Sequence, residues 1–420
     1  MSSTYSFQLR HDRNGCIVEK TETVGGKTVR WTYAYDKQGR LFEAHLDNRL
    51  ICQCHYDRDG RRQQDYFPKT HGSQVRNYRY RLDNRLQQAG NNGYTHDEQG
   101  FRSLWNHEGS YTLYEYAPDY RLLKATQEDE DVVFEFAHDE NGQREAKYRN
   151  GELVEAYRWL DFLRLAGFHD GEAAYRFLYR TGERTPYAME REDGATATLH
   201  YDQVGSLRVV ADQSGNVIKE VLYDPFGGII EDSNPALRIP IGFAGGLHDR
   251  DLGFVRFGWR DYDTFTSRWT APDPMGDAGG DPDWYGYCLD DPVNGADPLG
   301  LFVFGKRPLG FLPDSWHWIG TDGSTADKGN YELKHEHGFY EDGTGDNIGL
   351  GNDKMLKNEE ISKYKLEETH FDDTLMREAQ SSLDPGDYKL FKMGGQSNNC
   401  QDYADKLRER YRFLRTAKKY

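Results

Sequence analysis

The stretch RFGWRDYDTFTSRWTAPDPMGDAGGDPDWYGYCLDDPVNGADPLGL, residues 256–301, divides this sequence into two textures. Before it the chain is repetitive, tyrosine-rich and strand-like; after it that pattern stops. Two Asp-Pro-x-Gly turns stand inside it, Asp273-Pro274-Met275-Gly276 and Asp297-Pro298-Leu299-Gly300. Proline fixes φ and glycine admits a positive φ, so each is a stiff, tight turn that opens on a carboxylate.

Upstream, from about residue 5 to 230, one unit recurs. A short alternating run leads to an aromatic residue or histidine, then Asp, then a turn with Gly: Tyr35-Asp36 with Gly39, Tyr56-Asp57 with Gly60, His96-Asp97 with Gly100, His138-Asp139 with Gly142, Tyr201-Asp202 with Gly205, Tyr223-Asp224 with Gly227. A spacing of about twenty residues or its multiples marks a repeat architecture. Alternation such as Trp31, Tyr33, Tyr35 has period two, so the runs are strands joined as hairpins. A single repeat buries its aromatic face only on a neighbour, which predicts one continuous antiparallel sheet. Two segments depart from the pattern. Residues 155–168 suit a strand pair or a short helix, and residues 235–246 form a loop leading into the segment that closes the core.

Composition agrees with a sheet built on aromatic rings. Of 420 residues only 36% are hydrophobic, yet 14% are aromatic and 29 are Tyr, a residue that favours strands and tolerates one wet end. The net charge of −17 lacks the footprint of a general nucleic-acid binder, so no stable nucleic-acid partner is expected. Five cysteines without framework spacing fit a reducing site of synthesis. Cys52 and Cys54 lie two apart in a strand-like run and are expected to be small buried hydrophobes. No apolar leader opens the chain and no run approaches the ~18 apolar residues of a membrane span. The expectation is synthesis in the cytoplasm without a cleaved signal peptide.

Residues 256–301 resemble the end of the Rhs/YD-repeat core. Arg260, Tyr262, Asp263, Arg268, Trp269, Asp273, Pro274, Gly276, Tyr287, Asn294, Asp297, Pro298, Gly300 and Leu301 stand in the family's order and spacing. The upstream units resemble the YD repeats of the Rhs and insecticidal toxin-complex families. The resemblance implies a long antiparallel sheet wound into a hollow cocoon around a toxin. Family cores run many hundreds of residues longer. This chain is therefore a truncated or orphan module, or the remainder of the YD-repeat shell comes from elsewhere. The family's junction cuts itself after the Leu of the second turn by aspartic-protease-like chemistry. Carried onto this chain, the scissile bond is Leu301–Phe302, the carboxylates are Asp273 and Asp297, and Arg260 or Arg268 orients one of them. Delivery into a target cell by a type VI secretion apparatus, through a spike or adaptor, is implied with it, as is a cognate immunity protein. The domain boundaries that follow are 1–230 for the YD-repeat sheet, 231–301 for the core-closing segment and 302–420 for the toxin.

In residues 302–420 the charge is nearly balanced and three blocks stand out: Ser315-Trp316-His317-Trp318-Ile319-Gly320, residues 332–347 with Lys334-His335-Glu336-His337-Gly338-Phe339-Tyr340 at their centre, and Asn398-Asn399-Cys400-Gln401. The second reads as strand–turn–strand, with His335 and His337 on one face. After the third, Tyr403, Leu407, Tyr411 and Leu414 fall at helical spacing. An Asn cap then places Cys400 in the first turn, where unpaired N–H groups and the macrodipole favour a thiolate. A cysteine there and a histidine on a nearby strand are the parts of a nucleophilic site. These blocks look like a small α+β domain of the permuted papain-like hydrolases, the NlpC/P60- and LRAT-like group. That likeness implies Cys400 as nucleophile, His317 as base, His335 or His337 as the third member, Asn399 or Gln401 near the oxyanion, no metal and no cofactor. Two other readings stay open. One is a nuclease dependent on metal or histidine, using His317, His335, His337 and Asp346. The other is a non-enzymatic YD-repeat scaffold with an inert cap.

Overall fold

The hairpin unit repeats because one turn repeats. In Asp36-Lys37-Gln38-Gly39-Arg40 the Asp36 carboxylate accepts from the amides of Gln38 (2.9 Å) and Arg40 (3.0 Å). The Gly39 amide donates to the Asp36 carbonyl at 3.2 Å. Gly39 sits at φ +88°, open to glycine without strain. The same aspartate-capped turn forms at Asp57, Asp139, Asp202 and Asp224. The tyrosine of each unit ties back to the unit before it. Tyr35 donates to the carbonyl of Ile17 (2.7 Å), Tyr56 to Leu41 (2.7 Å) and Tyr80 to Arg62 (2.6 Å). Each acceptor in this set lies two residues beyond the preceding turn glycine, or in its place in the repeat.

A computed structural model describes residues 4–273 and 283–298, with the backbone of five strands between 302 and 371. The chain forms two units, Met1–Pro272 with Tyr285–Leu299, and Asp273–Trp284 with Gly300–Tyr420. In the first, 22 strands from Tyr5–His11 to Ile229–Asp232 form one sheet. Each strand pairs antiparallel with the next in the chain. Residues 155–168 resolve as a strand pair, Glu152–Trp159 with Leu165–His169. Cys52 and Cys54 are fully buried, as the alternation requires.

The sheet turns back on itself within these strands. Leu222, Phe226 and Ile230 from its last hairpin pack among Trp31, Leu41, Ile51 and Cys54 from its first. At the seam, Arg208 donates to the Glu22 carboxylate from Nε and Nη2, both at 3.3 Å. Lys20 adds a contact to Glu22 at 3.2 Å. These cations hold Glu22 at about 2, against the upward push of burial.

The inner face is packed rather than hollow. It holds residues 233–272 and 285–298, whose strands Leu247–Asp249, Phe254–Phe257, Arg260–Asp263 and Arg268–Trp269 form a small antiparallel meander. Ile239, Ile241 and Leu247 pack on Leu199, Leu207 and Val210, and Phe254 packs on Phe134 and Phe136. Where this segment meets the sheet it also takes up backbone hydrogen bonds: the Arg102 amide donates to Thr270 and the Leu207 amide to Gly242.

In the second unit, strands Phe302–Pro308, Lys334–Phe339, Asn347–Leu350, Met355–Leu356 and Lys365–Phe371 form a five-stranded antiparallel sheet. The strand–turn–strand reading of residues 332–347 agrees with the pairing of Lys334–Phe339 and Asn347–Leu350. The amphipathic helix expected after Asn398 lies outside the described residues.

Candidate functional site

Two residues beyond a turn glycine, the side chain points inward. Where that residue is Ile17 or Leu41 it joins the core. At Arg62, Arg102 and Arg144 it is a guanidinium instead, each at most 2% exposed. A buried cation needs an anion, and the closing segment provides one each time. Arg62 meets Asp290 at 2.8 Å, Arg102 meets Asp263 at 2.5 Å, and Arg144 meets Asp261 at 3.4 Å. Lys147 binds Asp249 at 2.6 Å and also reaches Asp251. The sequence reading missed this set. The signal was present as an arginine recurring at an inward position of the alternation.

These pairs position the stretch that leads to the second Asp-Pro turn. Cys288, Leu289 and Asp290 are three consecutive residues in the left-handed region, with φ of 50°, 53° and 57°. That conformation costs a non-glycine residue roughly 1–2 kcal/mol, so the surroundings must hold it. Arg62 grips Asp290 from the sheet, its guanidinium 4.1 Å from the Phe226 ring. Tyr287 packs into a cluster of Phe243, Phe257, Tyr262 and Trp269, with its ring 4.5 Å from that of Tyr262. Downstream, Asn294 accepts from the Ile17 amide at 2.8 Å and donates to the Tyr35 hydroxyl at 2.9 Å. Asn294 stood in the family pattern without a role; here it fastens the segment to the first strands. Burial pushes the neighbouring Asp291 carboxyl up to about 6, and hydrogen bonds from Asn294 oppose that rise.

Asp297 follows from this double anchor. Arg260 donates to its carboxylate at 3.3 Å from Nη2, and the Arg260 guanidinium lies 4.2 Å from the Trp269 ring. The Asp297 amide donates to the Tyr287 oxygen at 3.5 Å. Burial raises the Cys288 thiol well above its usual range, and the negative charge of Asp297 adds to the rise. Arg268 also reaches the sheet. It donates to the Asn84 carbonyl at 3.2 Å and stacks 4.8 Å from the Tyr80 ring, bracing a hairpin turn of the sheet. Of the two arginines expected to orient Asp273 or Asp297, Arg260 is the one seen paired with Asp297 among the described residues.

Asp273 belongs to the second unit, where its amide donates to the Trp284 carbonyl at 2.7 Å. Phe302 begins a strand, and His335 and His337 lie on the strand paired with it, opposite Arg307 and Gly305. Leu301, His317, Asn399, Cys400 and Gln401 lie outside the described residues.

Comparison with known proteins bears on the first unit. The family model described as the Teneurin YD-shell matches residues 1–279, well over half of the chain. Teneurin-1 of Gallus gallus is 29% identical over 280 residues, which cover 64% of this chain and 10% of the relative. Teneurin-4 of Mus musculus is 27% identical over 278 residues, 65% of this chain and 10% of its own length. A protein of Bacillus spizizenii named tRNA3(Ser)-specific nuclease WapA is 24% identical over 283 residues, 66% of this chain and 12% of its own length. The chain thus spans about a tenth of the length of these relatives. A solved structure described as the Photorhabdus luminescens Tc holotoxin pore covers 70% of this chain and 17% of its own, with 16% identity and a TM-score of 0.47.

Proposed function

This chain belongs to the Teneurin YD-shell family, and from that premise we infer that it is the carrier of an Rhs-type secreted toxin, with the toxin in residues 302–420. The observation behind this reading is the closing segment. Three strands of the sheet, those starting at Arg62, Arg102 and Arg144, hold it through buried ion pairs, and it delivers Asp297, paired with Arg260, to the point where the repetitive sequence ends. A carrier built this way fixes Asp297 just ahead of the junction.

The chemistry of that junction is self-cleavage between Leu301 and Phe302. Asp297 and Asp273 share one proton, because two neighbouring carboxylates resist ionising together. The ionised partner takes a proton from water as the water attacks the Leu301 carbonyl carbon. The protonated partner donates to the carbonyl oxygen, and collapse of the intermediate frees the Phe302 amine. Arg260 orients Asp297. No cofactor takes part.

The released domain acts as a cysteine hydrolase on competing or host cells. The Cys400 thiolate attacks an acyl carbon of a protein, a peptidoglycan peptide or an acyl lipid, the amine or alcohol leaves with a proton from the base, and water hydrolyses the resulting thioester to a carboxylate and the free thiol. His317 is its base, His335 or His337 orients that base, and Asn399 or Gln401 lies near the oxyanion. A cognate immunity protein, a secretion-apparatus spike or adaptor and further YD-repeat shell are the partners of this reading. The name of the Bacillus relative favours one alternative, a nuclease in the same slot that uses His317, His335, His337 and Asp346.

Intact mass spectrometry of the purified chain tests the junction. Two species are expected from the unmutated protein and one from Asp297→Asn; one full-length mass from both sinks the cleavage. Growth of bacteria expressing the full chain, directed to the cytoplasm or the periplasm, tests the toxin. Toxicity lost in Cys400→Ala supports the thiol enzyme. Toxicity that survives this change, with loss of DNA or RNA that chelators prevent, replaces it with the nuclease.

A further inference from the structure

Lys147 lies in the strand Arg144–Arg149, where a shift of register after Lys147 leaves Ala146 and Lys147 buried in succession. A bulge of this kind re-aims a side chain. The Lys147 side chain is 0% exposed, and its Nζ stands 4.7 Å over the Phe134 ring. Two carboxylates of the closing segment meet it there. Asp249 Oδ1 lies 2.6 Å away, and Asp251 Oδ2 is in contact as well.

Asp249 is set up as an acyl group that an amine could attack. Its Oδ1 accepts from the backbone amides of Asp251 (3.0 Å) and Leu252 (3.2 Å), the kind of donors that hold the charge of a tetrahedral intermediate. Its buried Oδ2 has no hydrogen bond among the described residues, and Arg144 Nη1 lies 3.6 Å from it. Burial pushes the Asp249 carboxyl up, but Lys147 and Arg144 hold it below its usual range, so the resting state is an ion pair. Keeping two ions out of water is costly, and a reaction that joins them abolishes both charges. Groups held in contact react as if at an effective molarity of about 10⁵–10⁸ M, which favours condensation over hydrolysis. The neighbouring charges stay matched afterwards. Asp251 keeps Arg238, at 2.8 and 3.1 Å, and Arg144 keeps Asp261, at 3.4 Å.

We propose that Lys147 and Asp249 condense to an intramolecular amide, with Asp251 relaying the protons, so that the sheet and the closing segment are joined covalently. Asp251 takes a proton from the Lys147 ammonium and passes it to Asp249 Oδ2. The free amine attacks Cγ, and negative charge gathers on Oδ1 between the two amides. Nζ gives up a second proton through Asp251 to Oδ2, which leaves as water while the Nζ–Cγ bond becomes an amide. One ammonium and one carboxylate yield one amide and one water, with no oxidant or other co-reactant. Asp251 is 32% exposed, which gives the water a way out. The bond closes a loop of 102 positions. Lys219 provides a contrast within the same unit. It is 1% exposed, 2.5 Å from Asp232 and 2.6 Å from the Asn234 carbonyl, but among the described residues it has neither a second carboxylate nor a ring against its Nζ. It stays an ion pair.

Intact mass of the full chain, denatured and reduced, tests this together with peptide mapping. The unmutated chain is expected to be lighter than its sequence by one water, and mapping is expected to join the peptide of Lys147 to that of Asp249, with Lys219 and Asp232 unlinked. Self-cleavage would leave this deficit in the fragment ending at Leu301, so the two results are independent. Lys147→Arg, which keeps the cation, is expected to restore the full mass. Asp251→Asn changes the partly exposed relay and leaves the Lys147–Asp249 pair in place; a folded Asp251→Asn chain is expected to have the full mass too, which covers the case in which Lys147→Arg fails to fold. An unmutated chain at its full sequence mass, a lost water that maps to another site, or a deficit that persists in either variant overturns the proposal.

Discussion

The sheet and the segment it encloses are stabilised in opposite ways. Each hairpin of the sheet is held locally, by an aspartate capping its own turn and a tyrosine tied to the neighbouring repeat. Its strands alternate buried and exposed residues, as in Arg76–Tyr80. The closing segment is buried throughout its meander and held by partners far along the chain. Arg62 and Asp290 are separated by 228 positions, Arg102 and Asp263 by 161. The sheet brings the inner cations and the segment brings the carboxylates. Strand number alone therefore does not decide whether this sheet holds its curvature. A charged insert matched to the inner face links strands that are not neighbours.

The largest expected effect separates the two modes directly. Arg102→Met leaves the Asp263 carboxylate buried, held by the Thr266 hydroxyl and the Phe265 amide. Removing one member of a buried pair costs about 3–5 kcal/mol, whereas an exposed pair contributes about 0–1. Arg40→Met, which removes the clamp on the Asp36 turn, should fall near the exposed range. Urea midpoints of the two variants measure the contrast, and the double change Arg102→Met with Asp263→Asn should recover much of the larger loss. Equal losses for Arg102→Met and Arg40→Met would show that the segment is no more than a passenger.

Those two modes also explain what could be foreseen from the sequence. The hairpins were legible because their determinants lie within a few residues: period-two alternation, the D-x-x-G turn and the tyrosine before it. Cys52 and Cys54 were legible for the same reason. The closing segment was recognisable as a unit through Arg260, Asn294 and Asp297, but its contacts were not. Nothing local pairs Arg62 with Asp290 or ties Asn294 to Ile17. The left-handed run at Cys288, Leu289 and Asp290 contains no glycine to announce it. Nor did the family pattern at Arg268 foretell its contact with the Asn84 turn.

Glycine replacements sharpen the comparison at a smaller scale. Gly246 has φ −78°, which any residue adopts, but a Cβ there would lie 2.5 Å from Val255 and 2.6 Å from Phe257. Gly246→Ala should cost about 1–3 kcal/mol through overpacking. Gly39 is the reverse case, with φ +88° and nothing within 4 Å of an added Cβ. Gly39→Ala should cost roughly 1–2 kcal/mol from backbone strain alone. Asparagine tolerates the left-handed region better than other side chains. Gly39→Asn should therefore be milder than Gly39→Ala, while Gly246→Asn should be worse than Gly246→Ala. Chemical unfolding of the four variants reads the two opposite orders, and the same order at both sites would contradict the distinction between a local turn and a packed core.

The mildest test sits where the two regions touch. The His71 ring, in the sheet, lies 4.8 Å from Phe67 of the sheet and 4.7 Å from Phe265 of the closing segment. Both its ring nitrogens are buried and unpartnered among the described residues. Burial holds this imidazole well below its usual range, and the charge of Arg76 pushes the same way. A histidine depressed in the folded state binds its proton more readily once unfolded. Its stabilising contribution is therefore complete above the unfolded value of about 6.5 and is lost as pH falls below it, by up to about 1.4 kcal/mol per pH unit. Asp224 and Asp291, both raised to about 6 by burial, slope the other way between about pH 4 and 6. The unmutated profile is thus a sum of opposing terms, and a difference between two proteins isolates the histidine. His71→Phe keeps the aromatic sandwich and removes the titration. Stability measured at pH 7 and pH 5.5 should fall less for His71→Phe than for the unmutated chain, by about 1 kcal/mol. A parallel decline in both would mean that the seam between sheet and segment opens to water and lets His71 titrate as it does in the unfolded chain.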